Sequence, residues 1–322
     1  MNETKETNCL ICGTDNLEKL DSHVDRRKGL SGYWTLYKCK QCGVEAVYPS
    51  PSDVELSEYY SVYSHNKSVT FSLRTGSHHP SLRRLFHWIS GDIDPRDFIK
   101  PEPNSTILDY GCGEAGCLFD FHSRGLRISG AEISSEMVIA CQKAGLDVHH
   151  VTNPDLIPFT DESFNIVYLM QVFEHLRNPH VFFYELFRIT KPGGMVYIAI
   201  PNSKSIWKYI FGKNWVSGWF VPFHLFHYDE KSFSQLANKH GFDVLKAWSR
   251  TPESWFRLNL KAHIYQKNSK LEKLQSVIDS NFVRFPLMLI LRILEVFIKH
   301  RDCLVIKLIK PEPNSSPNST KQ

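Results

Sequence analysis

Long apolar runs are missing from this 322-residue sequence. The longest uncharged one near the C-terminus, Phe285 to Leu291, falls far short of the roughly 20 residues that span a bilayer. The opening segment, Met1 to Asn8, is polar and acidic and lacks the apolar stretch of a secretory signal. Together these absences predict an intracellular, cytoplasmic protein, in which a sequon such as Asn104-Ser-Thr carries no meaning. Charge of one sign is scarce too. The formal excess is +4, too small by itself to argue for nucleic acid. No internal repeat is visible. What is present suits a soluble globular protein: 42% hydrophobic and 22% charged residues, enough to bury a core without disulfides. Eight cysteines in a reducing compartment therefore point to a metal or to packing.

Texture divides the chain into four zones. Residues 1–50 hold two cysteine pairs and short β-like runs, Tyr33–Tyr37 and Val44–Tyr48. Residues 51–103 open on Pro-Ser-Pro-Ser-Asp, continue helix-like and aromatic-rich, and read as a helical linker or cap. Residues 104–311 form the main domain, with insertions at 202–228 and 251–300. Residues 312–322 are low-complexity and read as a disordered tail. Within the main domain, Ile107–Asp109, Ile128–Glu132, Asp147–Val151, Ile166–Met170 and Met195–Ile200 read as strands. Helical patterns such as Glu136–Ala144 and Pro179–Ile189 separate most of them. A further helix, Glu230–His240, closes on Gly241, and strands follow at Val244–Trp248 and Cys303–Leu308. This alternation predicts an α/β fold with a Rossmann-like, doubly wound, mostly parallel sheet covered on both faces.

The most informative segment is Thr106-Ile-Leu-Asp-Tyr-Gly-Cys-Gly-Glu-Ala-Gly-Cys-Leu. A short apolar strand ends in Asp109, and Gly111 and Gly113 open a turn into a helix. Glycine lets the backbone approach a ligand closely, and the helix start offers unpaired N–H groups. A bare Gly-x-Gly would fit a nicotinamide site nearly as well. Asp109, however, would repel a pyrophosphate and suits the cationic amino-acid end of S-adenosylmethionine. Glu132 ends the next strand, where a ribose diol wants a carboxylate acceptor.

With Pro158-Phe-Thr-Asp-Glu-Ser-Phe, Glu174-His-Leu and Pro192-Gly-Gly following in order, residues 105–202 resemble the class I S-adenosylmethionine-dependent methyltransferases. The resemblance implies that Asp109, Gly111 and Gly113 form the methionine-end loop and that Glu132 holds the ribose. It places Asn153 and Leu156 beside the adenine, with Gln171 facing the methyl group or the methionine. Ala115 stands where a third glycine is usual, and Asn153 and Asn165 where aspartates are usual.

Cys9-Leu-Ile-Cys12-Gly and Cys39-Lys-Gln-Cys42-Gly form two Cys-x-x-Cys knuckles. Four thiolates at this spacing can close a tetrahedral, structural zinc site, with a hairpin or small loop between the knuckles. The other four cysteines read as packing. Similar N-terminal pairs occur on methyltransferases of sugars and other small metabolites, which this N-terminus resembles. They also occur on ribosomal RNA methyltransferases, but Asp25-Arg-Arg-Lys28 is the only basic cluster in the ribbon.

The resemblance puts the acceptor pocket at Pro201–Tyr228, which holds Trp207, Trp215, Trp219, His224 and His227. His224 is the candidate general base, with His227 and His175 behind it; bracing of the loop by His224 is the competing reading. Glu174-His175 reads as the start of the next helix. Finally, Phe282–Lys299 reads as an apolar helix whose charges, Arg284, Arg292, Glu295 and Lys299, fall within about 80° of one stripe. Burial, a dimer contact and a membrane interface are all open to such a helix.

The expected function is therefore methyl transfer from S-adenosylmethionine to a small-molecule acceptor such as a sugar, nucleotide sugar or lipid-linked metabolite. An RNA or protein methyltransferase gripping its target with the ribbon, and a non-catalytic cofactor-binding protein, are the alternatives. The residues leave the oligomeric state open.

Overall fold

A computed structural model describes residues 8–27, 29–52, 54–59, 80–267 and 272–313. The tail expected from 312 onwards thus lies outside the described residues beyond 313. The chain opens with antiparallel strands β1 (Leu17–His23), β2 (Trp34–Cys39) and β3 (Glu45–Tyr48). The helices α1 (residues 54–59), α2 (Pro80–Ser90) and α3 (Pro95–Phe98) follow.

The main sheet begins at β4 (Thr106–Tyr110), and α4 (Gly116–Ser123), β5 (Arg127–Glu132), α5 (Ser135–Lys143) and β6 (Val148–His150) come next. Then β7 (Phe164–Met170), α6 (Pro179–Ile189) and β8 (Thr190–Pro201) complete the parallel part. Two short helices, α7 (Ile206–Phe211) and α8 (Val216–Trp219), lead to β9 (Phe226–His227), α9 (Glu230–Lys239) and β10 (Asp243–Arg250). The helices α10 (Glu253–Lys267), α11 (Glu272–Asp279) and α12 (Asn281–Leu294) precede the last strand, β11 (Cys303–Ile309).

Seven strands make one sheet in the order β10-β11-β8-β7-β4-β5-β6. Strands β4 to β8 run parallel, whereas β11 and β10 add antiparallel at one edge. The central strands are buried on both faces, which is why they read as continuous apolar runs: Val167, Leu169, Val196 and Ile198 are fully enclosed. The fold class is thus the doubly wound, mostly parallel one expected. Local signals set the helix ends. Asp229 accepts from Ser232 N at 2.7 Å while Ser232 Oγ accepts from Asp229 N at 3.0 Å, a capping box that starts α9.

Two expectations change. The order β1-β2-β3-β9 shows that the N-terminal sheet continues into the 202–228 insertion, through pairing of Glu45 with His227. The apolar helix also ends at Leu294 rather than Lys299. Its charged stripe points inward: Arg292 is buried, and its guanidinium donates to Thr251 O at 2.6 Å and to Glu295 at 2.5 Å. The wide apolar face (Phe282, Phe285, Leu289, Ile290, Ile293) is exposed, so burial of that face is excluded for the described residues.

Candidate active site

The carboxyl ends of β4, β5, β6 and β7 lie side by side, the edge at which open α/β sheets bind ligands. Gly111 needs its φ of +78°, and a Cβ there would fall 2.4 Å from Val172 Cγ2. The turn is thereby pressed against the segment leaving β7. Gly111 N and Cys112 N both donate to Ala131 O, at 2.8 and 3.2 Å. Gly113 N donates to Glu132 Oε2 at 2.8 Å, and Glu132 Oε1 accepts from Ile133 N and Ser134 N at 2.9 Å each. Glu132 is thus held as a carboxylate acceptor over the turn. Ala115, in place of the usual glycine, takes φ +53° at the start of α4.

Asp109 is buried within β4. Desolvation pushes its carboxyl up to about 7, and the negative charge of Glu132 adds to this while the Tyr168 hydroxyl opposes it. A cation placed there would favour the carboxylate strongly. Asn153 stands on the exposed loop after β6, its Oδ1 accepting from Asp155 N at 3.0 Å, and Leu156 on that loop is exposed. Val151 N donates to Glu132 O at 2.8 Å, which keeps this loop beside the acid. Gln171, at the tip of β7, has φ +59°, a rare conformation for a non-glycine residue. Its N donates to Ala199 O at 2.8 Å and its side-chain amide to Cys303 Sγ at 3.3 Å. Such strain at a strand tip marks functional positions.

In the 202–228 insertion, His224 is buried and its Nδ1 donates to Gly218 O at 2.7 Å. A carbonyl only accepts, so Nδ1 carries the proton and Nε2 the lone pair. That lone pair faces Glu174, with 3.8 Å between Nε2 and Oε1. Glu174 belongs to a buried turn, Phe173–His175, and α6 starts only at Pro179, so the expected role of Glu174 in opening that helix is corrected. Its carboxyl is pushed up to about 8 by desolvation. His175 packs edge-on against His224 at 4.7 Å between ring centres. Desolvation lowers His175 to about 4, and lowers His224 well below the usual histidine range with help from the nearby His175. His227 lies apart from this group, its Nε2 3.3 Å from Trp219 O.

The tryptophans form walls: Trp207, Trp215 and Trp219 join Phe211, Val221 and Leu291 in one apolar cluster. The Arg27 guanidinium lies 4.2 Å from the Phe220 ring centre, so this arginine of the ribbon reaches the 202–228 insertion. The approach of Glu174 to His224 is a contact that the sequence reading of Glu174-His-Leu did not anticipate.

The four knuckle cysteines converge as expected from their spacing. Their sulfurs lie within 4.8 Å of one another, with Cys9 to Cys42 at 3.7 Å and Cys12 to Cys39 at 3.5 Å. Sulfurs bound tetrahedrally at 2.3 Å would be about 3.8 Å apart, so the set fits zinc. Gly13 and Gly43 take matching φ values of +81° and +82°, and Ile11 N and Cys42 N point at Cys9 and Cys39 sulfur.

A sheet of this order, with an acid–glycine turn after its first parallel strand and an acid ending the second, defines the class I S-adenosylmethionine-dependent methyltransferase fold. A family model described as a methyltransferase domain matches residues 83–247, just over half of the chain, and the protein belongs to that family. It is 33% identical over 137 residues to the ubiquinone biosynthesis O-methyltransferase of Maricaulis maris, across 40% of this chain and 54% of that one. It is 32% identical over 107 residues to the 2-methyl-6-phytyl-1,4-hydroquinone methyltransferase of Synechocystis, across 32% of this chain and 34% of that one. The chain spans about half the length, or less, of these curated relatives. Among solved structures, phosphoethanolamine N-methyltransferase 2 of Haemonchus contortus with S-adenosyl-L-methionine matches with a TM-score of 0.44 at 18% identity, across 76% of this chain and 60% of that one.

Proposed function

We propose that the protein transfers a methyl group from S-adenosylmethionine to a small-molecule acceptor. The observation that carries this reading is the turn at Gly111–Gly113, tied by its own N–H to Glu132 beside the buried Asp109. In this assignment Asp109 meets the cofactor's ammonium, Glu132 its ribose hydroxyls, Asn153 and Leu156 its adenine, and Gln171 its methionine end. The sulfonium is already electrophilic, so alignment of the acceptor does most of the work. His224 supplies the basic nitrogen on the acceptor side, with Nε2 as its lone-pair atom. The four cysteines hold a structural zinc.

Both curated relatives are named for quinone-type compounds, which favours a quinone precursor over a sugar as acceptor. The exposed apolar face of α12 supports an acceptor delivered from a lipid surface.

Calorimetry tests the cofactor site. Asp109→Ala and Glu132→Ala are each expected to weaken S-adenosylmethionine binding tenfold or more, about 1.4 kcal/mol. Unchanged affinity in both variants would sink the assignment. Transfer of labelled methyl into fractionated cell extract identifies the acceptor, and label in RNA would favour the nucleic-acid reading instead.

A further inference from the structure

His224, which is buried, and His175, which is partly buried, meet the buried carboxyl of Glu174 where the turn after β7 packs against the 202–228 insertion. The Glu174 side chain is 1% exposed, and neither of its oxygens has a hydrogen-bond partner. Burial without a partner favours the neutral acid, and a carboxylate there is costly unless something positive or proton-donating faces it. The nearest nitrogens do not donate to it. His224 gives its Nδ1 proton to Gly218 O, so Nε2 presents a lone pair towards Glu174 from 3.8 Å. The His175 ring bonds to the backbone of Phe223. One ligand atom from each of Glu174, His175 and His224 lies within 4.8 Å of the other two.

Each histidine is therefore held through one ring nitrogen by the main chain, the arrangement that fixes tautomer and ring direction in histidine ligands of metals. Two imidazoles and one carboxylate form the donor set suited to divalent first-row cations, with coordination positions left over. We propose that Glu174, His175 and His224 bind a divalent transition-metal cation, separate from the four-cysteine site. The cation gives the partnerless carboxylate of Glu174 a positive neighbour. Glu174 follows Gln171 by three residues in the chain, and the side-chain amide of Gln171 donates to Cys303 Sγ at the tip of β7. An oxygen of the acceptor entering the cation's open position would lose its proton more readily. His224 then acts as a ligand, and the cation lowers the acceptor's pKa. This rests on the methyltransferase reading above.

The test is metal analysis of the full chain, purified without chelator and equilibrated with excess Zn2+ or Mn2+ before desalting. Wild type loaded with Zn2+ is expected to retain two equivalents. Glu174→Gln and His224→Asn should each lose one and keep the cysteine-bound one. Cobalt substitution gives a second readout on wild type alone: visible absorption without thiolate charge transfer reports the nitrogen–oxygen site. One equivalent, lost with Cys39→Ser and indifferent to Glu174→Gln, overturns the proposal and leaves His224 as a direct base. Should the variants misfold, a cobalt spectrum containing only thiolate bands overturns it as well. Calorimetric binding of S-adenosylmethionine to the same samples separates this failure from failure of the cofactor assignment.

Discussion

Asp302 shows how a single buried group ties stability to pH. It closes the segment before β11, where its Oδ1 accepts from Ser205 Oγ at 2.5 Å and from Trp215 Nε1 at 2.7 Å. Burial pushes its carboxyl up to about 7, and the two donors oppose the shift. The folded state thus holds the proton more tightly than the unfolded chain, whose aspartates titrate near about 3.9. The resulting stabilisation is complete below about pH 4 and is lost as pH rises through about 7. Asp302→Asn keeps the accepting oxygen and removes the titration. In urea melts from pH 4 to 8, wild type should lose stability relative to this variant, and parallel curves would refute the account. The meeting of Glu174 with His224 is not legible in the sequence for a related reason. The spatial neighbour of Glu174, His224, lies far along the chain, and no spacing rule joins the two.

At the scale of the element, α12 carries the clearest lesson. Its sequence specifies a narrow charged stripe and a wide apolar one, but a period of 3.6 does not say which stripe meets the core. The answer came from Thr251 O and Glu295, which give the Arg292 guanidinium buried acceptors. With that stripe inward, Phe282 (93% exposed) and Phe297 (81%) project outward. The neighbouring α2 shows Leu82, Leu85, Phe86 and Trp88 at its surface. Arg84 and Lys299 are exposed in these segments, while Arg83 and Arg292 are held by Asp97, Asp120 and Glu295, so the patch suits a lipid surface with some anionic character. Full-length protein should sediment with vesicles containing phosphatidylglycerol more than with pure phosphatidylcholine. Replacing both Phe282 and Phe297 by Ser should weaken this more than tenfold, at about 1.5–3 kcal/mol per buried ring. Vesicle binding unchanged by the double variant, or a dimer that dissociates with it, would discard the lipid reading.

At the scale of the whole molecule, the ribbon and the 202–228 insertion share one sheet. Strand β9 extends the ribbon sheet, and Lys208 Nζ reaches both oxygens of the buried Glu45, at 2.8 and 2.6 Å. His23 packs on Trp219 at 4.6 Å between ring centres. Zinc in the four cysteines would therefore support the acceptor pocket at a distance. A structural zinc contributes on the order of 10–16 kcal/mol in small zinc-finger peptides, so its loss should unfold the ribbon outright. Strong chelation or Cys39→Ser is expected to lower Tm and to open both residues 1–50 and 202–228 to protease. Methyl transfer should fall while S-adenosylmethionine affinity holds. Protection of 202–228 in the metal-free protein would refute the coupling.

The cofactor turn, the five parallel strands and the two cysteine knuckles were determined by the sequence alone. Each is written in neighbouring residues: glycines where the backbone needs positive φ, apolar runs where a strand is covered on both faces, thiols two residues apart. The pairing of Glu45 with His227, the inward stripe of α12 and the meeting of Glu174 with His175 and His224 were decided only by the tertiary structure. They join residues distant along the chain, or choose between two faces of one helix, and packing sets the energy of both.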